Sequence, residues 1–274
     1  MNRRQPKIPV SLEGIAETLL IPLWARAVET ERGDPIVRDP KAVEICKSLD
    51  YDFGKFGEAW MTQTGIAVRT KLFDEAVQER IAGNPDAVFI NLGAGLDTRF
   101  DRVDNGRIRW YEVDLPEVIE IRRHFFTETD RHRFISRSIT DFTWIEEVCP
   151  SDSVPLLIAE GLLMYFDERE VRAIFKMLAG SFRGAEMIFE ILTPLAVGMG
   201  RFDQCVSKVG GGKAEFKWSL PDCREIESWN CGIKLCCEWN VLEYCKTRWG
   251  YLAFMAPLFF NLLGNRVVHV RFED

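Results

Sequence analysis

The chain has 274 residues, with 35 Lys and Arg against 42 Asp and Glu, and therefore a formal net charge of −7. A hydrophobic fraction of 47% with 28% charged residues is ordinary for a globular protein and supplies enough apolar material for a sizeable core. The acidic balance gives no reason to expect a nucleic-acid partner, which would favour a basic stripe. The length suits one large α/β domain, so we expect a single domain over 1–274.

No segment predicts a membrane span or an export signal. Glu13 and Glu17 interrupt the first apolar stretch that a signal peptide would need. The most apolar segment, 249–263, is shorter than a span of about 20 residues and contains Pro257, so we expect a buried helix there. Six of the eight cysteines lie in the last third of the chain, without the C-x-x-C spacing of a zinc ribbon. We therefore expect a cytoplasmic protein with reduced thiols, no membrane partner and no metal site.

Up to about residue 84 the sequence predicts helices. Apolar residues recur at helical spacing over 15–27 and again over 67–81. Gly83-Asn84-Pro85 ends the last helix, because proline cannot continue the turn. Segment 1–84 is therefore expected to form a helical N-terminal cap segment.

From residue 85 to residue 274 strands alternate with helices. Apolar runs predict five strands and two intervening helices, and two more strands close the pattern; the strands are 87–92, 108–113, 134–136, 154–159, 186–192, 233–244 and 266–272, and the helices 116–126 and 168–179. This rhythm predicts a doubly wound, Rossmann-like α/β sheet that binds ligands at the carboxyl ends of its strands. The glycine-rich stretch within about 194–232 is typical of a mobile loop, and we consider it a candidate lid-like insertion.

The most specific local feature is a glycine turn after the first of these strands, Asn91-Leu92-Gly93-Ala94-Gly95-Leu96-Asp97-Thr98-Arg99. Glycines let backbone N–H groups approach a ligand without obstruction by side chains. Asp114 lies 19 positions beyond Gly95, at the tip of the next strand, where a carboxylate can accept hydrogen bonds from both hydroxyls of a ribose. The turn and this acid together predict a nucleoside cofactor.

Two details favour S-adenosylmethionine over a dinucleotide. The dinucleotide fingerprint has a third glycine where Thr98 stands, and Asp97 places negative charge beside any bound phosphate. The acids Asp97, Asp114, Asp141 and Glu160 fall near the expected carboxyl ends of strands, and such a ring favours a cationic ligand. A sulfonium compound fits this charge. An NAD-binding oxidoreductase remains an alternative, since it would share the sheet and Asp114.

Several motifs in the same order resemble the leucine carboxyl methyltransferase family, and most nearly its branch of tetracenomycin polyketide-synthesis O-methyltransferases. They are the glycine turn, Asp114-Leu115-Pro116-Glu117-Val118, Glu160-Gly161-Leu162-Leu163-Met164-Tyr165, and Arg69-Thr70 followed by Asp74. The resemblance covers about residues 18–272. It implies a class I methyltransferase fold, with a Rossmann-like seven-stranded sheet whose last strand is antiparallel. It also implies S-adenosylmethionine as the methyl donor.

The resemblance implies which residues bind this cofactor: Arg69, Gly93, Ala94, Gly95, Asp114, Leu115, Asp141, Phe142, Glu160 and Tyr165. Arg69 would pair with the carboxylate of the methionine tail, because a guanidinium fork fits two oxygens. The glycines would lie under the cofactor, and Asp114 would hold the ribose.

At the adenine end, Asp141 would receive the amino group and Phe142 would cover the ring, although an aspartate at this place is also a common helix N-cap. Glu160 and Tyr165 would lie near the amino-acid tail and the transferred methyl group. Arg26 would help to close the site from the N-terminal helices.

The chemistry of the donor limits what the protein must supply. Methyl transfer is an in-line displacement at a sulfonium carbon, so holding the acceptor oxygen in line provides most of the catalysis. A carboxylate acceptor needs no base, whereas a phenol, with a pKa of about 10, gains from one. The three histidines, His124, His132 and His269, lie in no catalytic motif, so the sequence names no general base.

We therefore expect an S-adenosylmethionine-dependent O-methyltransferase that acts on a hydroxyl or carboxyl group of a polyketide-like or aromatic small molecule. Phe202, Phe216 and Trp218 are expected to line its acceptor pocket. Three alternatives remain: a carboxyl methyltransferase of a protein C-terminus, an NAD-binding oxidoreductase, and a catalytically silent cofactor-binding protein. The sequence defines neither the methyl acceptor nor the oligomeric state.

Overall fold

The structure is a computed structural model, and it describes residues 6–148, 154–212, 214–229, 231–250 and 264–273. The predicted buried helix over 249–263 lies outside these ranges from residue 251 onwards. Within them, no helix combines the length and the apolar character needed to cross a membrane.

A seven-stranded sheet organises the molecule. The strands of the described ranges are β1 (Ile8–Pro9), β2 (Leu49–Asp50), β3 (Val88–Leu92), β4 (Arg109–Asp114), β5 (His132–Ser136), β6 (Leu156–Ala159), β7 (Glu186–Ile191), β8 (Ile233–Asn240) and β9 (Arg266–Phe272). The large sheet has the order β5-β4-β3-β6-β7-β9-β8. Strands β3 to β7 pair in parallel, and β9 runs antiparallel to both β7 and β8. This topology confirms the predicted α/β sheet with its antiparallel last strand.

Helices cover both faces of the sheet. They are α1 (Leu20–Thr30), α2 (Pro40–Ser48), α3 (Trp60–Gly83), α4 (Arg99–Val103), α5 (Pro116–Arg122), α6 (Trp144–Glu147), α7 (Glu168–Ser181) and α8 (Lys246–Trp249). Strand β3 is buried along its whole length, because Phe89 packs with apolar residues of α3 while Ile90 packs with those of α7. A strand enclosed in this way reads as the continuous apolar run from which it was predicted.

The N-terminal segment is helical, as predicted, with one addition. Besides α1, α2 and α3 it contains the short parallel pair of β1 and β2. The division of the domain into a cap segment, 1–84, and a sheet portion, 85–274, stays a prediction.

The stretch after β7 packs onto the N-terminal segment. It is a series of short 3-10 turns, and the backbone N–H of Gly210 donates to Glu17 at 2.6 Å. A Cβ atom at Gly210 would lie 2.4 Å from the carbonyl oxygen of Gly14, so only glycine allows this approach. Val206 and Val209 are buried beneath it. The structure shows packing around 205–210, while the expected mobility of the loop and its role as a lid over about 194–232 stay predictions.

The enclosure of the sheet predicts a large difference between two Phe→Ala variants. Phe89 is fully buried and its ring stacks on Trp110 at 4.9 Å, whereas Phe202 is 63% exposed. We expect Phe89→Ala to lower the free energy of unfolding by about 3–5 kcal/mol. The matched Phe202→Ala change should stay within about 0.5 kcal/mol. Urea unfolding of both variants measures this, and equal losses would contradict the fold described here.

Candidate functional site

A cavity of about 750 Å³ lies at the carboxyl ends of the parallel strands. Its walls come from the glycine turn, the tips of β4, β6 and β7, the N-terminal segment, α3 and the stretch over 206–216. The structure brings eight of the ten predicted cofactor residues to this cavity: Arg69, Gly93, Ala94, Gly95, Asp114, Leu115, Glu160 and Tyr165. Arg26 also lines it.

The glycine turn follows directly from the pairing of β3 with β4. The N–H of Gly93 donates to the carbonyl oxygen of Val113 at 2.8 Å, and the N–H of Gly95 donates to Asp114 Oδ2 at 2.7 Å. Both glycines have positive φ, at 66° and 50°. A Cβ atom at Gly93 would lie 2.6 Å from Leu162 Cδ1, so this position requires glycine for space as well as for conformation.

Asp114 is poised to titrate close to neutral pH. Burial raises its pKa to about 6, although hydrogen bonds from the backbone N–H groups of Gly95 and Leu115 favour the ionised form. A half-buried carboxylate at a strand tip, held by two backbone donors, is well placed to accept hydrogen bonds from a polar ligand.

Arg69 on α3 is held between two carboxylates. Its Nε donates to Glu160 Oε1 at 2.8 Å and its Nη1 to Glu190 Oε2 at 2.7 Å. Burial opposes the charged form of Arg69, but Glu190 and Glu160 outweigh it and raise its pKa. A Cβ atom at Gly161, where φ is 69°, would lie 3.2 Å from Arg69 Nη2. This glycine therefore leaves room for the guanidinium group at the cavity wall.

A second arginine, Arg99, belongs to the same network of ion pairs around Glu160. Arg99 is fully buried and donates to Asp74 at 2.7 Å, to Asp97 at 2.6 Å and, with its Nη2, to Glu160. Burial works to raise the pKa of Glu160, yet Arg99 and Arg69 outweigh it and hold that pKa below its usual range. Glu160 therefore stays ionised at neutral pH.

Sequence reasoning assigned no role to Arg99 or Glu190. Arg99 is the last residue of the glycine-turn motif. Glu190 lies near the carboxyl end of β7, just as the predicted site acids lie near the carboxyl ends of their strands. The same criterion could therefore have identified it from the sequence.

The cavity carries an excess of negative charge. Among the residues that the structure describes, the charged lining consists of four acids against two arginines: Asp97, Asp114, Glu160, Glu190, Arg26 and Arg69. Arg26 is already engaged by Asp39 at 2.8 Å and by the carbonyl oxygen of Leu96 at 2.9 Å. The site therefore favours a ligand with positive charge.

The structure does not bring Asp141 and Phe142 to the cavity. Both are exposed, and Asp141 Oδ1 accepts hydrogen bonds from the backbone N–H and the hydroxyl of Thr143. Ser138 and Ile139 line the cavity nearby instead. The adenine-binding roles of Asp141 and Phe142 stay predictions.

Aromatic side chains form part of the wall beyond Arg69. The rings of Tyr165 and Phe216 lie 5.9 Å apart, and Trp249 also lines the cavity. Burial raises the pKa of Tyr165 to about 12, so its hydroxyl stays protonated at neutral pH. Two residues that we expected to line the acceptor pocket do not line this cavity. Phe202 points to solvent, and Trp218 packs in the hydrophobic core.

Comparisons with known proteins identify the family of the chain. The family model of leucine carboxyl methyltransferase matches residues 20–179. The tetracenomycin polyketide synthesis O-methyltransferase TcmP of Streptomyces glaucescens is 30% identical over 85% of this chain and 86% of its own length. The S-adenosyl-L-methionine-dependent methyltransferase dpfgK of Gibberella zeae is 27% identical over 82% of each.

One solved structure supports the fold at low sequence identity. A DUF574 family protein from Streptomyces avermitilis superposes with a TM-score of 0.57 and 13% identity, over 91% of this chain and 97% of its own. The family model spans more than half of the chain, and the sequence relatives span most of it. The chain therefore belongs to the leucine carboxyl methyltransferase family and is a methyltransferase.

Proposed function

We propose that the protein transfers a methyl group to a hydroxyl or carboxyl oxygen of a small, polyketide-like or aromatic molecule. The methyl donor is S-adenosylmethionine, the compound in the name of the Gibberella zeae relative. The observation that carries the proposal is one cavity lined both by the charged groups of Arg69, Glu160 and Asp114, which we take as the donor end, and by mostly apolar side chains, which we take as the acceptor chamber. The polyketide class comes from the name of the Streptomyces glaucescens relative.

The charged end fits the donor group by group. Arg69 Nη2 beside Gly161 suits the carboxylate of the methionine tail, and the ionised Glu160 suits its ammonium group. Asp114 suits the ribose hydroxyls. When bound, the donor supplies a methyl group on a cationic sulfur, which the excess of acids in the lining stabilises.

The acceptor chamber runs along one face of α3. Met61, Gly65 and Arg69 are spaced by four residues, so they share a face, and Met61 lies about 12 Å from Arg69 along the helix axis. Met61 is 43% exposed, which puts it at the mouth. Trp249 lies beside Gly65, since a Cβ atom there would be 3.6 Å from its ring, and most of the other lining residues are apolar. Such a chamber favours an acceptor with a flat, apolar body.

Asp114, whose pKa is raised to about 6, is taken up by the ribose in this proposal, and the other described residues of the cavity offer no strong general base. None of the three histidines lines it, Tyr165 stays protonated, and arginines hold the pKa of Glu160 low. The acceptor oxygen must therefore be ionised already or be readily ionised, as in a carboxylate or an acidic phenol. Catalysis then comes from holding that oxygen in line with the sulfur–methyl bond.

An acceptor screen tests this proposal. Purified protein and S-adenosylmethionine are incubated with aromatic carboxylic acids, phenols and peptides that end in leucine, and both S-adenosylhomocysteine and methylated product are measured. We expect turnover with small aromatic acceptors. Turnover of the peptides alone would favour the alternative of a protein C-terminus, and donor binding without turnover of any acceptor would favour a silent cofactor-binding protein.

A cytoplasmic location stays a prediction.

The role of Arg69 predicts a loss of donor affinity. Arg69→Lys keeps the charge between Glu160 and Glu190 but removes the planar fork that fits a carboxylate. We expect binding of S-adenosylmethionine to weaken by about 1.5–3 kcal/mol in calorimetric titration. Arg172→Lys on the exposed face of α7 is the matched control and should bind as the unmodified protein does. Full affinity in folded Arg69→Lys protein would refute the role.

The raised pKa of Asp114 predicts a pH dependence of binding. In its ionised form, the Asp114 carboxylate accepts hydrogen bonds from the ribose hydroxyls. This form gives way to the protonated acid as the pH falls through about 6. We therefore expect the dissociation constant of S-adenosylmethionine to rise by up to about tenfold for each pH unit below that value.

Asp114→Asn cannot titrate, so its binding should be weaker and flat between pH 5 and 8, as measured by calorimetry at each pH. Asp86→Asn at an exposed ion pair is the control and should keep the wild-type profile. An unchanged profile in Asp114→Asn would assign the titration to another group.

A further inference from the structure

Arg122 contacts the glycine turn from behind. It is the last residue of α5, is fully buried, and is not part of the cavity lining. Its Nη1 donates to the carbonyl oxygen of Gly95 at 3.0 Å and to that of Asp97 at 2.9 Å. One guanidinium nitrogen thus satisfies two buried backbone acceptors in the middle of the turn.

Arg122 is itself fixed by a buried acid. Its Nη2 donates to Glu112 on β4, which is 1% exposed. Asn91 Nδ2 donates to the other oxygen of Glu112 at 2.9 Å, and His132 Nε2 lies 3.1 Å from the first. The ring of Phe126 lies 4.3 Å from the centre of the guanidinium group. These contacts hold the two Nη groups of Arg122 between Glu112 and the turn.

The N–H and the carbonyl group of Gly95 are therefore hydrogen-bonded on opposite sides of the turn. Its N–H donates to Asp114 at 2.7 Å on the cavity side, and its carbonyl oxygen accepts from Arg122 on the buried side. Gly95 has φ of 50° and lacks a side chain to restrict it. Without Arg122, the carbonyl groups of Gly95 and Asp97 lose their partner, and the turn gains other conformations that a cofactor would have to exclude on binding.

We propose that Arg122 is a positioning residue that holds the glycine turn in its cofactor-binding conformation, with Glu112 fixing its orientation. The inference rests on the proposed function, because it takes the turn to be the site of the methyl donor. Arg122 touches no ligand and acts only through the backbone of Gly95 and Asp97.

The test uses two variants of the full chain. Arg122→Met combined with Glu112→Gln removes the guanidinium group and its counter-charge together, and avoids leaving a buried charge without a partner. Arg122→Lys keeps the ion pair with Glu112 but loses the forked geometry. Arg123→Lys, next in the chain and half exposed, is the control.

The test has two readouts. Calorimetry measures the affinity for S-adenosylmethionine and S-adenosylhomocysteine, and hydrogen exchange is measured on the ligand-free protein. We expect the double variant to lose at least about tenfold in affinity for both ligands, and Arg122→Lys to lose less. Amides over 93–98 should exchange faster while those of β3 do not. At saturating donor, kcat should stay within about twofold, so the loss appears in KM.

A purely structural role would lower stability without changing affinity in the folded protein. Unchanged affinity, or exchange over 93–98 that equals the control, overturns the inference. If the double variant does not fold, the same two readouts on Arg122→Lys decide. Failure of the unmodified protein to bind either ligand would instead refute the proposed function, so the two failures are distinguishable.

Discussion

The site depends on Glu160, whose carboxylate is shared by two buried arginines. Arg69 on α3 and Arg99 at the end of the glycine turn both pair with Glu160, which directly follows β6. Three segments that are distant in sequence are thereby fixed around one carboxyl group. Breaking a buried ion pair by removing one partner costs about 3–5 kcal/mol, because the other charge is left buried without compensation. The arrangement of the cavity walls follows from this constraint.

The same network explains why the cavity suits a methyl donor that carries both signs of charge. Arg69 keeps one nitrogen at the wall beside Gly161, and the acids outnumber the arginines in the lining. A carboxylate, an ammonium group and a sulfonium can thus each meet an opposite charge. Because the arginines hold the pKa of Glu160 low, this carboxylate is a weak base and suits the binding of an ammonium group better than proton removal.

The fold and the centre of the site could be predicted from the sequence, because both depend on local patterns. Buried strands read as apolar runs, and parallel pairing brings Gly95 and Asp114 together at one edge of the sheet. Contacts between distant segments leave no such pattern. Arg122 contacts the backbone of Gly95 and Asp97, which only the folded chain brings near it, and Gly210 packs on Gly14 from a stretch whose sequence predicts a loop.

The central claim is that this cavity binds S-adenosylmethionine and not a dinucleotide. Thr98 stands where a dinucleotide turn has glycine, and its hydroxyl is bound to Asp39 inside the protein. Calorimetric titration of the unmodified protein with S-adenosylmethionine, S-adenosylhomocysteine and NAD, side by side, tests the claim most directly. The account predicts tight binding of both adenosyl compounds and none of NAD. Binding of NAD without binding of the adenosyl compounds would contradict it.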